Sequence, residues 1–367
     1  MPIGVKAPNR QMAQSPDFIR ANLRYVTDDE EGIRRERRGS AFTYRRADGR
    51  LVRDAATLNR ISRLAIPPAW ADVWICSDPT GHLQATGRDA RGRKQYRYHD
   101  SWSQISSRSK YDHVLEFAEI LPQLRRAVQR DMRRPKLDNR RVIAGLVRLL
   151  DATLIRIGND CYVQQNDSYG LTTLRDHHVK FIGNGRARLR FKGKSGQNHE
   201  LEVGDRKLVR LIRHCHDLPG YRLFQYVDEH GDQHAIGSGE VNDYIREVAG
   251  CDDLSAKDFR TWGGTTGAAV TLAAMGPPPP GRACDKRITA AVKQVACQLG
   301  NRPAACRKYY IHPAIFDAYR TGELLEYLDG KMAGNRIPPR TGMAPQERAV
   351  KALLENKARR LMKGKAA

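Results

Sequence analysis

Residues 138–158 read DNRRVIAGLVRLLDATLIRIG, and this stretch decides what kind of fold the chain can adopt. Its apolar residues recur three or four positions apart, which places them on one face of a helix from about 138 to 157. They are Val142, Leu146, Leu149, Leu150, Leu154 and Ile157. Gly158 is expected to end the helix, because glycine accepts the backbone conformation that follows a last helical turn. The stretch therefore predicts a long amphipathic helix.

A strand pair follows this helix along the chain. In residues 186–192, RARLRFK, apolar and basic residues alternate, which predicts a strand with one inward face and one cationic face. Residues 193–196 supply a turn, and 199–203 supply the return strand. Lys194 is therefore expected at the exposed tip of a hairpin.

Helical spacing also dominates the rest of this half of the sequence. Apolar residues with helical periodicity predict further helices at about 204–215, 239–249, 255–273 and 285–299. Residues 113–330 are therefore predicted to form a larger, mainly α domain.

The chain before residue 113 has a different pattern. Turn residues stand at short intervals, and short apolar runs such as 73–76 and 83–86 lie between them, which predicts a small antiparallel sheet. Residues 21–112 are predicted to form a β-rich domain, and a linker is expected near 105–118. The polar residues 1–20 are predicted to be a mobile N-terminal tail.

The C-terminal residues 331–367 are rich in lysine and arginine and are predicted to be a basic tail. An amphipathic segment at 345–362 predicts either a loosely held helix or a tail that trails along a polyanion. The whole chain is thus predicted to be an α+β protein with a small β-rich N-terminal domain and a larger helical one.

Composition narrows the class of partner. The 367 residues hold 64 Lys+Arg against 41 Asp+Glu, a net charge of +23, which attracts polyanions and favours nucleic acid as the partner. No apolar run is long enough to span a bilayer, and the N-terminus lacks a secretory signal, so no membrane partner and a cytoplasmic location are expected. The seven cysteines form no C-x-x-C pair, which argues against a structural zinc site, and no cofactor is expected.

Two basic residues stand where phosphate could be bound, although each also has an ordinary explanation. Arg156 lies at the predicted helix C-terminus, where the helix dipole alone favours arginine. Lys194 could be a simple turn lysine. The sequence GKS at 193–195 resembles the end of a Walker phosphate loop, but Arg188 stands where that motif requires glycine, so ATP binding is rejected.

Further candidates lie towards the C-terminus. Arg260 could be a helix residue paired with Asp258, as an alternative to a functional role. Asn301 begins a new segment after a helical stripe that stops at Gly300. Tyr310 comes nine residues later, directly after Tyr309, and spacing alone does not choose between the two tyrosines.

The order of these residues resembles a known family, the type IB DNA topoisomerases of the compact poxvirus-like and bacterial branch. The shared order is an arginine, a hairpin lysine, Lys-x-x-Arg, asparagine or histidine, and then tyrosine nine residues on. The resemblance covers roughly residues 20 to 325 and includes IPPAW at 66–70 and GRKQYRY at 92–98. It implies the catalytic fold shared by these enzymes and the tyrosine recombinases.

The resemblance also implies a role for each catalytic candidate. Tyr310 would be the nucleophile that forms a 3′-phosphotyrosyl bond, and Arg156 and Arg260 would clamp the phosphate. Lys194 would donate a proton to the departing 5′ oxygen. Asn301 stands where many relatives hold histidine, and its amide can still donate a hydrogen bond to a phosphate oxygen.

Four further residues would contact DNA by the same resemblance. Lys257 is the first cation of the Lys-x-x-Arg motif and would contact a base or a phosphate. In the first domain, Gln95, Tyr96 and Tyr98 resemble residues that such enzymes place in the major groove. Strand packing with phosphate contact is the alternative for these three.

The implied activity is the relaxation of supercoiled double-stranded DNA by single-strand cleavage, strand rotation and religation, without ATP or metal. The enzyme would be a monomeric, nucleoid-associated, C-shaped clamp around the duplex. Tyrosine recombinases are the nearest rival class, but they usually carry His-x-x-Arg where this chain has KDFR at 257–260, and their first domain is helical. A DNA-coating protein that uses only the charge is the non-enzymatic rival.

Overall fold

A computed structural model of the chain describes residues 21–39, 41–90, 92, 94–329 and 338–363. For residues 103–112, 161, 162, 165, 195 and 361–363 the backbone alone is described. The predicted mobile tail, 1–20, lies outside the described residues. The chain divides into two compact units, 1–111 and 112–367.

The first unit is built on one antiparallel sheet of five strands. These are β1 (Gly32–Arg38), β2 (Ala41–Arg45), β3 (Ala71–Cys76), β4 (Leu83–Arg88) and β5 (Lys94–Tyr98), in the order β2-β1-β3-β4-β5. Helix α1 (Ala55–Arg63) contributes Ile61 to a core with Ile33, Val73 and Ile75. The prediction of a small antiparallel N-terminal sheet is confirmed.

Strand β1 has a sequence, GIRRERR, from which no strand is predicted. It nevertheless lies inside the sheet and pairs with both β2 and β3. Only its first two residues are buried, and Arg35 reaches across to donate hydrogen bonds to the carbonyl oxygens of Pro67 and Trp70. Backbone pairing with two neighbours holds this strand, and such pairing leaves no mark in the hydrophobic pattern.

The second unit is mainly helical, as predicted. Its helices are α2 (Asp100–Asp131, which begins in the first unit), α3 (Asn139–Thr153), α4 (Asp160–Asn166), α5 (Arg206–His216), α6 (Ser238–Ala249), α7 (Ala256–Ala274), α8 (Arg282–Leu299), α9 (Pro303–Tyr309), α10 (Pro313–Arg320), α11 (Glu323–Leu328) and α12 (Pro345–Lys363). The stretch near 105–118, where a linker is expected, is helical and lies within α2, and the boundary between the two units falls inside it.

Helix α3 ends four residues before the predicted end at 157. Asp138 caps its N-terminus by accepting a hydrogen bond from the Arg141 backbone, and Leu154 ends it in the left-handed conformation, at φ 56°. The helical spacing of apolar residues extends beyond the last residue of α3, because Leu154 is apolar for another reason: its side chain packs against Gly263 of α7. Arg156 therefore lies on a non-helical segment, where its carbonyl oxygen accepts a hydrogen bond from Leu171, and the predicted position at a helix end is corrected.

The predicted hairpin is present, in a three-stranded sheet of β6 (Val179–Phe181), β7 (Ala187–Lys192) and β8 (Asn198–Val203). The predicted cationic face of β7 is corrected, because glutamates of β8 lie opposite its arginines. Arg190 pairs with Glu200 at 3.0 Å, and Arg188 lies 3.4 Å and 3.7 Å from Glu200 and Glu202. A shorter pair, β9 (Gln225–Val227) and β10 (Gln233–Ala235), completes the strands of this unit that the structure describes.

The described part of the C-terminal segment packs on the helical unit, which corrects the expectation of a loosely held helix or a trailing tail. Helix α12 buries Ala349, Val350, Leu353 and Leu354. Glu347, in its first turn, forms an ion pair with the buried Arg125 of α2 at 2.7 Å. Both an apolar face and a buried charge therefore hold this segment.

Candidate active site

Two separate stretches of the helical unit meet where Arg156 contacts Gly300 and Asn301. Both terminal nitrogens of its guanidinium donate hydrogen bonds to the carbonyl oxygen of Gly300 at 3.2 Å, and one also donates to the side-chain oxygen of Asn301. Gly300 ends α8 in the left-handed conformation, at φ 57°, which turns the chain so that Asn301 faces the arginine. Two candidates 145 positions apart in the sequence are thus in direct contact.

Arg260 reaches the same place from the first turns of α7. Its guanidinium donates to the carbonyl oxygen of Leu299 at 2.8 Å and to that of Leu154, and the residue is 4% exposed. Asp258 instead accepts hydrogen bonds from the backbone and hydroxyl of Ser255 and caps the helix. No ion pair joins Asp258 to Arg260 among the described residues, so the alternative role of Arg260 as a partner of Asp258 is not observed.

Tyr310 lies directly after α9, and its ring centre is 5.2 Å from the guanidinium carbon of Arg260. The side chain is 5% exposed. Its backbone is held tightly, because the Tyr310 carbonyl oxygen would lie only 2.4 Å from a Cβ atom placed on Gly264 of α7. Tyr309 is half-buried and lies beside Lys308, so Tyr310 is the tyrosine in contact with Arg260.

Arg260, which is buried, and Arg156, which is half-buried, form a positive site without a carboxylate among the described residues. Burial, together with the neighbouring charge of Arg156, lowers the pKa of Arg260 to about 10. Burial likewise lowers the pKa of Arg156. Neither side chain has an acidic partner in the part of the chain that the structure describes. A buried charge needs compensation, so this site is suited to bind an anion.

Two buried hydrogen-bond donors at the site lack an acceptor. They are Nε of Arg260 and Nδ2 of Asn301, neither of which contacts a hydrogen-bond partner within the described residues. Buried donors in folded proteins are almost always paired. Both belong to side chains that could donate to the oxygens of a phosphate.

Lys194 begins a short 3-10 turn, Lys194–Gly196, between β7 and β8. It is half-buried, and this corrects the expectation of an exposed tip. Next to it, Gly193 lies against the ring of His199, and the same ring lies against Gly300. The base of the hairpin is thereby in contact with the segment that binds Arg156.

His199 is a site residue that the sequence did not single out. Its pKa is lowered by burial and by the charges of Arg156 and Arg260, which shows that it lies near both arginines. Strand alternation on β8 puts His199 on the same face as Leu201 and Val203. This alternation is the feature of the sequence from which an inward-facing His199 could have been predicted.

Four residues are predicted to contact DNA. Lys257 is exposed on the first turn of α7. Gln95 is buried, and its side-chain amide donates a hydrogen bond to Asp89 at 2.9 Å. Gln95 thus packs within the sheet of the first unit. Tyr96 and Tyr98 are half-buried on β5 with stacked rings, 6.0 Å between centres, and burial raises the pKa of Tyr98. The DNA contacts of Lys257, Gln95, Tyr96 and Tyr98 stay predictions.

Two further features concern other ligands and membranes. Among the residues whose placement is described, no three His, Cys, Asp or Glu side chains are grouped so that they could hold a metal ion. No helix in the same part of the chain is long and apolar enough to cross a membrane.

Two family models match the chain. One, described as the catalytic core of eukaryotic DNA topoisomerase I, matches residues 99–332. The other, described as the N-terminal domain of bacterial DNA topoisomerase IB, matches residues 41–89. The two matches fall on the helical and the β-rich parts of the chain respectively.

Individual proteins are also similar. DNA topoisomerase 1B of Acanthamoeba polyphaga mimivirus is 34% identical over 297 residues, which cover 79% of this chain and 88% of that protein. DNA topoisomerase 1B of Vaccinia virus (strain Copenhagen) is 22% identical over 300 residues, covering 76% and 90%. A solved structure of the XerH site-specific recombinase bound to difH substrate has a TM-score of 0.34 and 14% sequence identity. The match covers 53% of this chain and 49% of that chain. It is too slight to support a function.

Proposed function

Because the chain belongs to the type IB DNA topoisomerases, in their viral and bacterial branch, we propose that it relaxes supercoiled double-stranded DNA through a transient bond between Tyr310 and DNA. One observation carries this proposal. Tyr310 lies beside the buried Arg260, and Arg260 and the half-buried Arg156 form a cationic pair without a carboxylate among the described residues. Such a pair is suited to a DNA phosphate next to a nucleophile.

The proposed reaction is an exchange of esters at phosphorus. The Tyr310 hydroxyl gives up its proton as its oxygen attacks a backbone phosphate and bonds to phosphorus, and the bond from phosphorus to the 5′ oxygen breaks as that oxygen takes up a proton. The 3′-phosphotyrosyl ester preserves the energy of the broken bond. Attack by the free 5′ hydroxyl reverses the transfer, so neither ATP nor a metal ion is needed for resealing.

The arginines stabilise the charge that builds up on the non-bridging oxygens during the attack. Their donors act in a water-poor site, where fixed charges stabilise a transition state more strongly than in water. Arg156 now donates to Gly300 and Asn301, so a bound phosphate would take over some of these hydrogen bonds. The unpaired amide nitrogen of Asn301 adds a neutral donor to the same group.

Lys194 supplies the proton that the departing 5′ oxygen needs. An alkoxide leaves slowly unless it is protonated, and a lysine ammonium is a suitable donor. The turn that carries Lys194 contacts the Gly300 segment through His199, which supports this role. The molecule would act as a monomer in the cytoplasm, with the cut strand rotating before it is resealed.

The central test uses both tyrosines. Wild type, Tyr310→Phe and Tyr309→Phe are incubated with supercoiled plasmid in EDTA without nucleotide, and covalent complexes are trapped with detergent. We expect relaxation and trapping for wild type and Tyr309→Phe and neither for Tyr310→Phe. Relaxation or trapping by Tyr310→Phe would refute the assignment. A DNA-coating protein would leave the linking number unchanged, and a recombinase would require paired sites.

A second test concerns Lys194. Lys194→Ala is expected to cleave ordinary DNA slowly and to recover on a substrate with sulfur at the 5′ bridging position, because a thiolate leaves without protonation. Failure to recover would exclude Lys194 as the proton donor.

A further inference from the structure

His199 fills a slot between two glycines of the helical unit. A Cβ atom on Gly193 would lie 2.6 Å from its ring, and one on Gly300 would lie 2.5 Å from the same ring. These distances mean that the imidazole touches both backbones directly, which only glycine at each position allows. The third wall is Phe191, whose ring stacks on the imidazole at 4.9 Å and 14°.

This slot joins the two halves of the proposed active site. Gly193 immediately precedes Lys194 at the base of the hairpin turn. Gly300 supplies the carbonyl oxygen that Arg156 binds and immediately precedes Asn301. The His199 ring therefore lies in contact with both the hairpin turn and the arginine-binding segment.

The contacts of the ring are made by its shape and not by hydrogen bonding. Within the described residues, neither ring nitrogen of His199 has a hydrogen-bond partner. Burial and the charges of Arg156 and Arg260 lower its pKa, which favours the neutral form of the ring. A neutral ring stacked on Phe191 can act as a rigid spacer without adding a third positive charge.

We propose that His199 is a positioning residue for cleavage, and that its ring holds the Lys194 turn against the Gly300 segment so that proton donor and phosphate clamp act on the same phosphate. This inference rests on the proposed function. It assigns His199 no contact with DNA. Its effect on the reaction is transmitted through the position of Lys194.

The test compares leaving groups in a double-mutant cycle. Single-turnover cleavage is measured for wild type, His199→Ala, Lys194→Ala and the double variant, on matched DNA with 5′ oxygen or 5′ sulfur. We expect His199→Ala to slow cleavage of the 5′-oxygen substrate roughly 10- to 100-fold, because displacement of a catalytic group by about 1 Å has effects of this size. On the 5′-sulfur substrate, the cleavage rate of His199→Ala should stay within a few-fold of the wild-type rate. The double variant should be no slower than Lys194→Ala, since residues that act through one group are not additive.

Conservative variants separate a spacer from a hydrogen-bond donor. His199→Phe keeps a flat ring that can stack on Phe191, and we expect it to restore most of the rate that His199→Ala loses. Asn198→Ala, at the exposed neighbouring position on β8, is the matched control and should cleave like wild type. Thermal melting and non-covalent DNA binding verify that each variant folds; if His199→Ala does not, His199→Phe and His199→Leu carry the comparison, with only the ring expected to preserve the rate.

Three results would overturn the inference: equal slowing of both substrates by His199→Ala, additive effects with Lys194→Ala, or a His199→Phe variant as slow as His199→Ala. These results differ from a failure of the proposed function, which would appear as cleavage by Tyr310→Phe. If Tyr310→Phe is inactive and Lys194→Ala is rescued by sulfur, the proposed function stands and only the role of His199 is in question.

Discussion

Two arginines of the helical unit are equally buried but have opposite surroundings. Arg125 is 3% exposed and pairs with Asp151 and Glu347, and hydrogen bonds to these carboxylates raise its pKa. Arg260 is 4% exposed, faces Arg156, and has its pKa lowered to about 10. The first arrangement compensates its own charge, whereas the second leaves a positive charge for a ligand to compensate. The difference distinguishes a structural arginine from a site arginine.

At the residue scale, Gly264 is predicted to be essential for the position of Tyr310. A Cβ atom at Gly264 would lie 2.4 Å from the Tyr310 carbonyl oxygen, and backbone must move to relieve this contact. Gly264→Ala should slow single-turnover cleavage by about 100-fold, because small displacements of a nucleophile have large effects on rate.

Gly267, one turn further along α7, is the matched control for Gly264. A Cβ atom there would meet nothing closer than Val295 at 3.7 Å, which is an ordinary contact. Gly267→Ala should therefore keep the wild-type cleavage rate and raise stability by up to about 1 kcal/mol, because alanine favours helix. Equal rates for the two alanine variants would contradict the proposed constraint on Tyr310.

At the scale of elements, helix α12 is predicted to stabilise the helical unit through Glu347. Its carboxylate accepts hydrogen bonds from Arg125, from the Trp262 indole and from the Ala344 backbone. Glu347→Gln should lower the free energy of unfolding by about 3 kcal/mol, because the buried charge of Arg125 loses one of its carboxylate partners. Urea denaturation at neutral pH measures the change.

Glu355, on the same helix, provides the comparison for Glu347. It pairs with Lys351 one turn away and is partly exposed. Glu355→Gln should cost less than about 1 kcal/mol, as is usual for i,i+4 pairs near the surface. If both glutamine variants had the same small effect, α12 would be held by its apolar face alone.

At the scale of the whole molecule, the net charge of +23 predicts DNA binding that weakens steeply with salt. Not every cation should contribute equally. Lys257 is exposed, and no ion pair to it is present in the described part of the chain, whereas Arg190 pairs with Glu200. Lys257→Ala should reduce the slope of log K against log salt by about 1, and Arg190→Ala should leave it nearly unchanged. The same loss of slope in both would contradict this distinction.

Stability is also expected to depend on pH through His312. Burial lowers the pKa of His312 to about 4, from an ordinary value of 6.5. Between these values the unfolded chain binds the proton and the folded chain does not, so stability falls as pH falls from 6.5 towards 4. The slope approaches about 1.4 kcal/mol per pH unit for each such proton.

The His312→Asn variant tests this contribution. His312 caps α10 by accepting a hydrogen bond from the Ala314 backbone, and asparagine can cap a helix equally well. The variant should therefore be nearly as stable as wild type at pH 7 and should lose less stability between pH 6.5 and 4.5. Parallel curves of melting temperature against pH would show that His312 does not contribute.

Much of the fold could be predicted because its elements are amphipathic. The helices α5 to α8 and the β7–β8 hairpin lie close to their predicted positions, since each has an apolar face of the right period. Strand β1 and the end of α3 could not be predicted. The first depends on backbone pairing with two neighbours, and the second on the contact of Leu154 with Gly263.

By itself, the sequence determined the two kinds of domain, the basic character and the candidates Arg156, Lys194, Arg260, Asn301 and Tyr310, because periodicity, charge and motif order are local or additive properties. Only the tertiary structure decided which of these residues meet. It brought Arg156 onto Asn301, set Tyr310 beside Arg260, buried Arg260 without a carboxylate partner among the described residues and placed His199 against two glycines. Contact and desolvation depend on distant segments packed in three dimensions, and no single stretch of sequence specifies them.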